Sequence, residues 1–301
     1  MENKLSDKNN RNRKGRGVSH SKIILMGEHS VVYGYPAIAI PLKNIQIECI
    51  VERSRVPFFH NEKDTLSTAV HTALKYLSKK NENIKYKVIS DIPPKRGMGS
   101  SAAVSIAAIR GVLDYFNRKV DNMTLEKLVN EAEIIAHNTP SGLDAKTCLS
   151  DSAIKFIKNK GFKNIDINLG AYLLIADTGI HGHTRDAIMN IKNMGNKALP
   201  MLEKLGKLAE ETEKFIEKKD VVNIGKNMIS AHEELKRLGV SIEKSDILVK
   251  TAIDEGAYGA KMSGGGLGGC IIALMESREK AEMTAKKLME KGAVNIWIEA
   301  L

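Results

Sequence analysis

Apolar and polar residues alternate over residues 45–49 and again over residues 84–88. A period of two is typical of strands with one buried face, so strands are predicted at both places. Between them, Val70, Leu74 and Leu77 recur at the spacing of one helix face, which predicts a helix. The first third of the chain is therefore predicted to be rich in strands.

Longer periodic runs follow. Helical periodicity predicts helices over residues 101–117, 124–137, 184–194, 199–218, 221–238 and 278–291. Short apolar runs bounded by polar residues predict strands over residues 171–177, 269–276 and 294–299. Strands, then helices, then mixed elements indicate an α+β fold.

Charge separates the first 17 residues from the rest. Six basic and two acidic residues give this segment +4 of the chain's formal +10, and it has almost no apolar residues. This composition predicts a disordered basic tail over residues 1–17. A nucleic-acid-binding protein is the non-enzyme alternative, but only 5% of the residues are aromatic, so a base-stacking surface is poorly supported.

The three cysteines, Cys49, Cys148 and Cys270, are widely separated and lack the spacing of a zinc site. They indicate neither a disulfide framework nor a metal centre, and a reducing compartment is expected. No apolar run approaches the roughly 18 residues that a membrane span needs. A cytoplasmic protein without a membrane segment is therefore predicted.

A glycine-rich segment, Pro-Pro-Lys-Arg-Gly-Met-Gly-Ser-Ser-Ala-Ala, occupies residues 93–103 between a predicted strand and a predicted helix. Glycines let backbone N–H groups turn toward an anion, and the helix that follows presents its positive N-terminus. The pattern predicts a phosphate-binding loop that is neither a Walker A loop nor a GxGxxG loop. An ordinary glycine turn with a serine N-cap is the alternative.

Two further segments have the composition of a site. Residues 263–269 contain five glycines in seven positions, a density that indicates close approach of the backbone to a ligand or to another backbone; a flexible hairpin is the alternative. Residues 21–37 place Gly27, Glu28 and His29 directly after an apolar stretch. Titratable residues at the end of a strand are a common site arrangement, although either residue alone is more often a surface residue.

These segments, in this order, resemble the GHMP kinases over essentially the whole chain after the tail. Residues 93–103 are similar to the nucleotide loop of that family, and residues 261–266 to its C-terminal glycine motif. Residues 22–34 and 138–144 resemble the mevalonate kinases within it. Two departures, His20-Ser21 in place of Pro-Gly and Met98 in place of leucine, remove no chemical group that the reaction needs.

The resemblance implies a GHMP kinase fold. An N-terminal domain like the second domain of ribosomal protein S5 is expected over residues 18–180, and a ferredoxin-like C-terminal domain over residues 181–301. The implied reaction is phosphorylation of mevalonate by ATP to 5-phosphomevalonate, with Mg²⁺. Another GHMP kinase, such as a phosphomevalonate or homoserine kinase, is the enzymatic alternative.

The resemblance also assigns roles. Asp144 is the expected general base, and Lys22 the lysine that keeps it ionised and stabilises charge on the transferred group. Glu133 and Ser100 or Ser101 are the expected Mg²⁺ ligands. Nucleotide binding is expected at Pro93, Lys95, Arg96, Gly97, Met98, Gly99, Ser100, Ser101, Ala102 and Ala103. Substrate binding is expected at Glu28, His29, Gly264, Gly265, Thr184 and Arg185. The expected partners are mevalonate, ATP and a second copy in a homodimer, without membrane or nucleic acid.

Overall fold

The computed structural model describes residues 13–137 and 142–301. The strands are β1 (Lys14–Met26), β2 (Pro36–Arg53), β3 (Ile84–Ser90), β4 (Ala153–Ile157), β5 (Gly161–Ile165), β6 (Tyr172–Asp177), β7 (Gly259–Ser263), β8 (Cys270–Met275) and β9 (Asn295–Ala300). The helices are α1 (Thr65–Tyr76), α2 (Ser100–Tyr115), α3 (Asn122–His137), α4 (Leu143–Cys148), α5 (Thr184–Met194), α6 (Leu199–Glu217), α7 (Val221–Arg237), α8 (Glu243–Asp254) and α9 (Arg278–Glu290). Short 3₁₀ helices occupy Ser30–Tyr33 and Gly195–Ala198. The α+β prediction is confirmed.

The predicted helices are present with nearly the predicted ends. Three of the helices begin at a residue whose side chain caps the first turn. The side chains of Asp64, Asp220 and Ser277 each accept a hydrogen bond from the backbone N–H three residues later, at the starts of α1, α7 and α9. Each cap satisfies a donor that the first turn leaves unpaired. Among the helices of the described residues, none is both long and apolar enough to cross a bilayer.

Contacts between Cα atoms divide the chain into two compact units whose segments alternate along the sequence. The first unit contains residues 1–21, 43–93 and 99–149, and the second contains residues 22–42, 94–98 and 150–301. Residues 1–12 and 138–141, which include part of the predicted tail and part of the Asn-Thr-Pro-Ser-Gly-Leu-Asp motif, lie outside the described residues. Because β1 and β2 contribute to both units, a single boundary near residue 180 does not describe this division.

In the first unit, the C-terminal half of β2 pairs antiparallel with β3, from Ile47 opposite Ser90 to Arg53 opposite Ile84. Helices α1, α2 and α3 pack on one another. Four alanines of α2, Ala102, Ala103, Ala107 and Ala108, are all buried. Their small side chains let the backbone of α2 pack closely against the neighbouring helices of this unit, which holds α2 in place.

The second unit contains a four-stranded antiparallel sheet of order β7-β8-β6-β9. In chain order its elements run strand, helices, two strands, helix, strand, which is the ferredoxin-like arrangement that the sequence predicts. Apolar residues of α8 and α9 pack against this sheet. The central strand β6 ends at Asp177 and therefore precedes the boundary predicted at residue 180. The ferredoxin-like sheet thus begins earlier than predicted.

The second unit also contains the start of β2, which pairs with β4 from Pro36 opposite Ile157 to Ala39 opposite Ile154. Strand β5 continues from β4 as an antiparallel hairpin. Helices α6 and α7 pack on each other in the same unit. A buried contact between them joins the Asn227 amide to the Thr212 hydroxyl at 3.2 Å.

The predicted tail is too long at its C-terminal end, because β1 begins at Lys14. The backbone N–H of Arg16 donates to Asp114 Oδ2 at 2.8 Å. Gly17 lies directly against α2, since a Cβ atom built there would be 2.0 Å from the carbonyl oxygen of Ala107. Residues 14–17 are therefore part of the first unit, held by a contact that only glycine permits.

Two truncations test this correction. A chain that begins at Arg13 retains β1, and its melting temperature should match that of the full chain. A chain that begins at Val18 loses the strand pairing and the Arg16–Asp114 bond, which should cost about 2 kcal/mol, or about 4–8 °C in melting temperature. Equal melting temperatures for the two chains would contradict the assignment.

Candidate active site

The loop predicted to bind phosphate bends through three residues with positive φ before it enters α2. These are Lys95 at 59°, Gly97 at 78° and Gly99 at 69°, and Gly99 is the N-cap of α2. The side chain of Met98 is fully buried and anchors the loop, so methionine performs here the packing role of an apolar residue. Anion binding by this loop stays a prediction; α2 has 16 residues, and its first N–H groups are the donors that such binding would use.

Arg96 belongs to this loop, but most of its guanidinium group is engaged by protein atoms. Its Nε lies 2.8 Å from Asp177 Oδ1, and its Nη2 donates to the carbonyl oxygen of Gly179 at 3.1 Å. Asp177 ends β6 and is fully buried. Arg96 therefore ties the loop to the central strand of the second unit, and its predicted contact with nucleotide stays a prediction. Within the part of the chain that the structure describes, Arg96 Nη1 is buried and has no hydrogen-bond partner.

The second glycine-rich loop, residues 263–269, packs against the first. A Cβ atom on Gly264 would lie 2.8 Å from Gly97 Cα, so the two backbones touch where neither residue has a side chain. Hydrogen bonds from Gly182 N to Lys95 O at 2.8 Å and from His183 N to Gly266 O at 3.0 Å join the start of α5 to both loops. The loop is thus a supported element of the site and not a free hairpin.

Thr184 meets the second loop directly. A Cβ atom on Gly265 would lie 1.9 Å from Thr184 Oγ1, so the structure brings together three predicted substrate-binding residues, Gly264, Gly265 and Thr184. Arg185, the fourth residue predicted near this point, is exposed on α5. Its role stays a prediction.

Lys22 lies beside the phosphate loop. Its backbone N–H donates to Met98 O at 3.1 Å, and its Nζ donates to Gly97 O at 3.3 Å. The residue is 2% exposed. A buried cation next to a glycine-rich anion loop acts strongly on phosphate charge, because little water screens it.

Residues Gly27, Glu28 and His29 form a tight turn between β1 and the 3₁₀ helix. His29 has φ 59° and ψ −42°, and the N–H of Ser30 donates to the carbonyl oxygen of Glu28 at 2.6 Å. These values describe a γ-turn of the rare, strained kind centred on His29. Strained backbone persists where the surroundings hold it and is common at functional sites.

The side chains of this turn are buried and carry unpaired polar atoms. Glu28 forms an ion pair with Lys261, and both side chains are fully buried. Glu28 Oε2 and His29 Nε2 are buried atoms without a hydrogen-bond partner within the described part of the chain. Such groups are costly unless a ligand satisfies them, so the turn has the chemistry of a polar binding site.

Burial also sets the charge state of the two basic groups here. The pKa of His29 is lowered to about 4, chiefly by desolvation, with a backbone hydrogen bond to Gly265 raising it and the Lys261 charge lowering it. Desolvation lowers the pKa of Lys261, against the attraction of Glu28. His29 is therefore a neutral imidazole near pH 7.

In the first unit, the predicted metal ligands form a buried cluster. The hydroxyls of Ser101 and Ser105 donate to Glu133 Oε1 at 2.9 and 3.0 Å, and Glu133 is 6% exposed. Ser100, the first residue of α2, is partly exposed. Sequence reasoning missed Ser105, although its position one turn after Ser101 places it on the same helix face. Hydroxyl and carboxylate oxygens suit Mg²⁺, which takes few protein ligands and keeps several waters.

Asp144, the predicted base, lies in the first turn of α4 and is partly exposed. Gly142 precedes this helix with φ 78°. The Cys148 thiol is 4.0 Å from the carbonyl oxygen of Gly99, so α4 contacts the N-cap of α2 within the first unit. The short helix is thereby fixed to the element that carries Ser101.

Comparison with known proteins identifies the family. Residues 66–151 match the GHMP kinases N terminal domain, and residues 212–294 match the GHMP kinases C terminal domain. The mevalonate kinase of Pyrococcus furiosus is 30% identical to this chain, in an alignment that covers 89% of this chain and 91% of that protein. The chain belongs to the GHMP kinases.

Solved structures agree with this GHMP kinase assignment. The L. major mevalonate kinase in complex with R-mevalonate has a TM-score of 0.85 and 24% identity, with 96% of this chain and 97% of that chain covered. The mevalonate kinase from methicillin-resistant Staphylococcus aureus has a TM-score of 0.78 and 29% identity, with 96% and 99% covered. The predicted GHMP kinase fold is confirmed.

The buried environment of His29 should make this GHMP kinase less stable in acid. The pKa of His29 is about 4 in the folded state, against an ordinary value of 6.5 in the unfolded state. Between these two pH values the unfolded state binds a proton on this imidazole and the folded state does not. Stability should therefore fall as pH drops from 6.5 toward 4, by about 2 kcal/mol between pH 7 and pH 5. Urea unfolding at both pH values measures this fall, and His29→Gln should reduce it. An equal fall in parent and variant would assign the acid sensitivity to other groups, such as His232, whose pKa burial also lowers.

Proposed function

We propose that this chain transfers the γ-phosphoryl group of ATP to the 5-hydroxyl of mevalonate and forms 5-phosphomevalonate and ADP. The observation that carries the proposal is the arrangement in the second unit. There, two glycine-rich loops touch at Gly97 and Gly264, the Lys22 ammonium group lies on the first loop, and the polar turn at Glu28 and His29 is buried. Relatives such as the Pyrococcus furiosus mevalonate kinase support the choice of acceptor.

In the proposed reaction, Lys22 stabilises the negative charge that develops on the transferred group and the attacking oxygen. Asp144 accepts the proton of the mevalonate 5-hydroxyl as the new oxygen–phosphorus bond forms, and ADP leaves with the electrons of the broken bond. An aspartate suits this role because an ionised carboxylate can accept the proton in the transition state, when the hydroxyl is already positioned against the phosphoryl group. Both roles belong to the proposal.

Glu133, Ser101 and Ser100 are the proposed Mg²⁺ ligands. The fit rests on the donor set, since Ser101 Oγ and Glu133 Oε1 are already 2.9 Å apart in a partly buried position. Within the described residues no group of three or more His, Cys, Asp or Glu side chains could hold a metal ion, so the proposed site depends on serine hydroxyls as well as Glu133. When bound, Mg²⁺ neutralises phosphate charge.

Glu28 and His29 are the proposed contacts for the polar groups of mevalonate. The neutral His29 imidazole and the unpaired Glu28 Oε2 offer hydrogen bonds to a hydroxyl group. Backbone N–H groups of Gly264 and Gly265 and the Thr184 hydroxyl offer donors to the carboxylate, with Arg185 as a further candidate. Without a ligand, Glu28 Oε2 and His29 Nε2 stay buried and find no partner among the described residues, so this turn favours a substrate with several oxygen atoms that can form hydrogen bonds.

An acceptor screen tests the proposal. Purified protein with ATP and Mg²⁺ is given mevalonate, 5-phosphomevalonate or homoserine, and ADP release is followed. We expect rapid release with mevalonate alone. Turnover with another acceptor and none with mevalonate would overturn the substrate assignment and favour a different GHMP kinase reaction.

The non-enzyme alternative has its own test. A gel-shift with nucleic acid at physiological salt, repeated with a chain that begins at Arg13, measures binding through the basic N-terminus. Binding through phosphate contacts weakens steeply with salt. We expect no shift at physiological salt, whereas a salt-sensitive shift lost on truncation would support that alternative.

Replacing Glu133 by Gln should raise the Mg²⁺ concentration needed for half-maximal activity by at least about tenfold, because a formal charge leaves a hard-cation site. Excess Mg²⁺ should restore part of the rate. Glu131→Gln is the matched control, since Glu131 lies on the same helix but is 39% exposed and pairs with Lys75. An unchanged Mg²⁺ requirement in Glu133→Gln would remove this residue from the metal site.

We infer a cytoplasmic location and a homodimer for this enzyme. Cys49, Cys148 and Cys270 are buried and none of them is in a disulfide, which suits a reducing compartment. Light scattering of the purified chain measures the assembly, and a mass near 33.1 kDa would show a monomer instead.

A further inference from the structure

Lys261 is a buried cation to which the proposed reaction gives no role. It lies on β7, two residues before the second glycine-rich loop, and its side chain is fully buried. Moving an ammonium group and a carboxylate out of water costs several kcal/mol per ion, and a well-packed apolar pair is often as stable. The Lys261–Glu28 pair is therefore poorly explained by stability alone.

The contacts of Lys261 lead to the strained turn. Its Nζ donates to Glu28 Oε1 and, at 2.8 Å, to the carbonyl oxygen of Met262. The second bond fixes the ammonium group to its own strand, and the first holds the Glu28 side chain from across the unit. Ser30 Oγ supports the same turn by donating to Gly27 O at 3.3 Å. The γ-turn at His29 is thus held from both sides.

The pair also decides which atoms of the turn are left for a ligand. Because Lys261 occupies Glu28 Oε1, the unpaired acceptor on this carboxylate is Oε2. The other unpaired atom, His29 Nε2, belongs to the residue at the centre of the turn. A free glutamate would rotate and present either oxygen, whereas the paired glutamate presents one.

We propose that Lys261 is a positioning residue for the acceptor: it acts through Glu28 to hold Glu28 Oε2 and His29 Nε2 in the arrangement that binds the polar groups of the substrate. This inference rests on the proposed function of the turn. It differs from a purely structural role because it couples Lys261 to acceptor affinity and leaves nucleotide affinity alone.

The test uses Lys261→Met, which keeps length and removes the charge, and the double variant Lys261→Met with Glu28→Gln. Lys261→Met should lower the melting temperature, because it leaves a buried carboxylate unpaired. The double variant has no unpaired charge and should recover much of that loss. In both, KM for mevalonate should rise about 10–100-fold, which is the effect of losing a hydrogen bond to a charged group. KM for ATP should stay within threefold.

Because Glu28 is itself a proposed substrate contact, Glu28→Gln alone is the reference for the double variant, and the folded Lys261→Met variant decides between positioning and simple stability. If Lys261 only stabilises the fold, Lys261→Met assayed well below its melting temperature keeps the KM of the parent for mevalonate, and the inference is overturned. A parallel rise of both KM values would also overturn it. Lys155→Met is the control, because it removes a mostly buried ion pair with Glu213 in the same unit, away from the turn. It should leave both KM values unchanged.

The acceptor screen on the parent protein keeps the two proposals apart. If the parent phosphorylates homoserine or 5-phosphomevalonate instead of mevalonate, the proposed function fails, and the same KM comparison is made with that acceptor. If the parent phosphorylates mevalonate and the folded Lys261→Met variant binds it normally, only the role of Lys261 fails.

Discussion

Lys22→Met should lower kcat about 10²–10³-fold, the usual effect of removing one group that stabilises transition-state charge. The side chain is 2% exposed and its Nζ is 3.3 Å from Gly97 O in the phosphate loop, so its charge acts where water does not screen it. Methionine matches the length of the lysine stem and removes only the ammonium group. Affinity for an ATP analogue should fall severalfold at most, because the backbone N–H groups of the loop remain.

Single-turnover phosphorylation of mevalonate measures the chemical step directly, and a binding titration with an ATP analogue measures nucleotide affinity. Lys204→Met serves as the control, since it removes a lysine that pairs with Glu234 at 2.8 Å on neighbouring helices of the same unit. A kcat for Lys22→Met within threefold of the parent would show that the loop and the metal supply the electrostatic stabilisation without this residue.

Helices were the more predictable part of this fold. Periodicity located α2, α3, α5, α6, α7 and α9 within two residues at each end. Amphipathic spacing and helix caps depend on residues close together in the sequence, so they can be identified from the sequence alone. The N-caps at Asp64, Asp220 and Ser277 are examples in which one side chain and one backbone group three residues away define a boundary.

Strands that depend on distant partners were missed. The sequence analysis did not identify β4, β5 or β7, the N-terminal part of β1, or the full 18-residue length of β2. β1 begins Lys-Gly-Arg-Gly, a composition typical of a tail, and is a strand because it fits against α2 and because Lys14 and Arg16 pair with Glu52 and Glu48. Strand formation reflects such tertiary packing more than local preference.

The site shows the same division between local and distant information. Local motifs and their resemblance to the GHMP kinases singled out Lys22, Glu28, Ser101 and Glu133 as candidates, and the roles of these residues stay predictions. The Lys261–Glu28 pair joins residues 233 positions apart, and no local pattern indicates it. Arg96 shows the converse: its place in a phosphate loop suggested nucleotide binding, while its contacts with Asp177 hold the loop in place.

Asp144→Asn should lower kcat by at least about 10²–10⁴-fold, because a positioned general base contributes a factor in this range. The change is nearly isosteric and removes the proton acceptor while it retains the shape and most hydrogen bonds of the side chain. Asp144 lies in the first turn of a six-residue helix and is partly exposed, so loss of its charge should move the melting temperature little. Affinity for an ATP analogue should also stay close to that of the parent.

Three measurements on this variant separate a catalytic aspartate from a structural one: the melting temperature, the affinity for an ATP analogue and single-turnover phosphorylation of mevalonate. A structural aspartate would lose stability or nucleotide binding together with activity, whereas a base loses the chemical step alone. Asp151→Asn, at an exposed position a few residues further along the chain, is the matched control and should behave like the parent in all three. If single-turnover phosphorylation by Asp144→Asn stays within a few-fold of the parent, the 5-hydroxyl does not need this carboxylate. Its proton would then leave without a side-chain base, and the rate enhancement would rest on Lys22 and the metal, so that Lys22→Met and Glu133→Gln would become the two most damaging single changes in the enzyme.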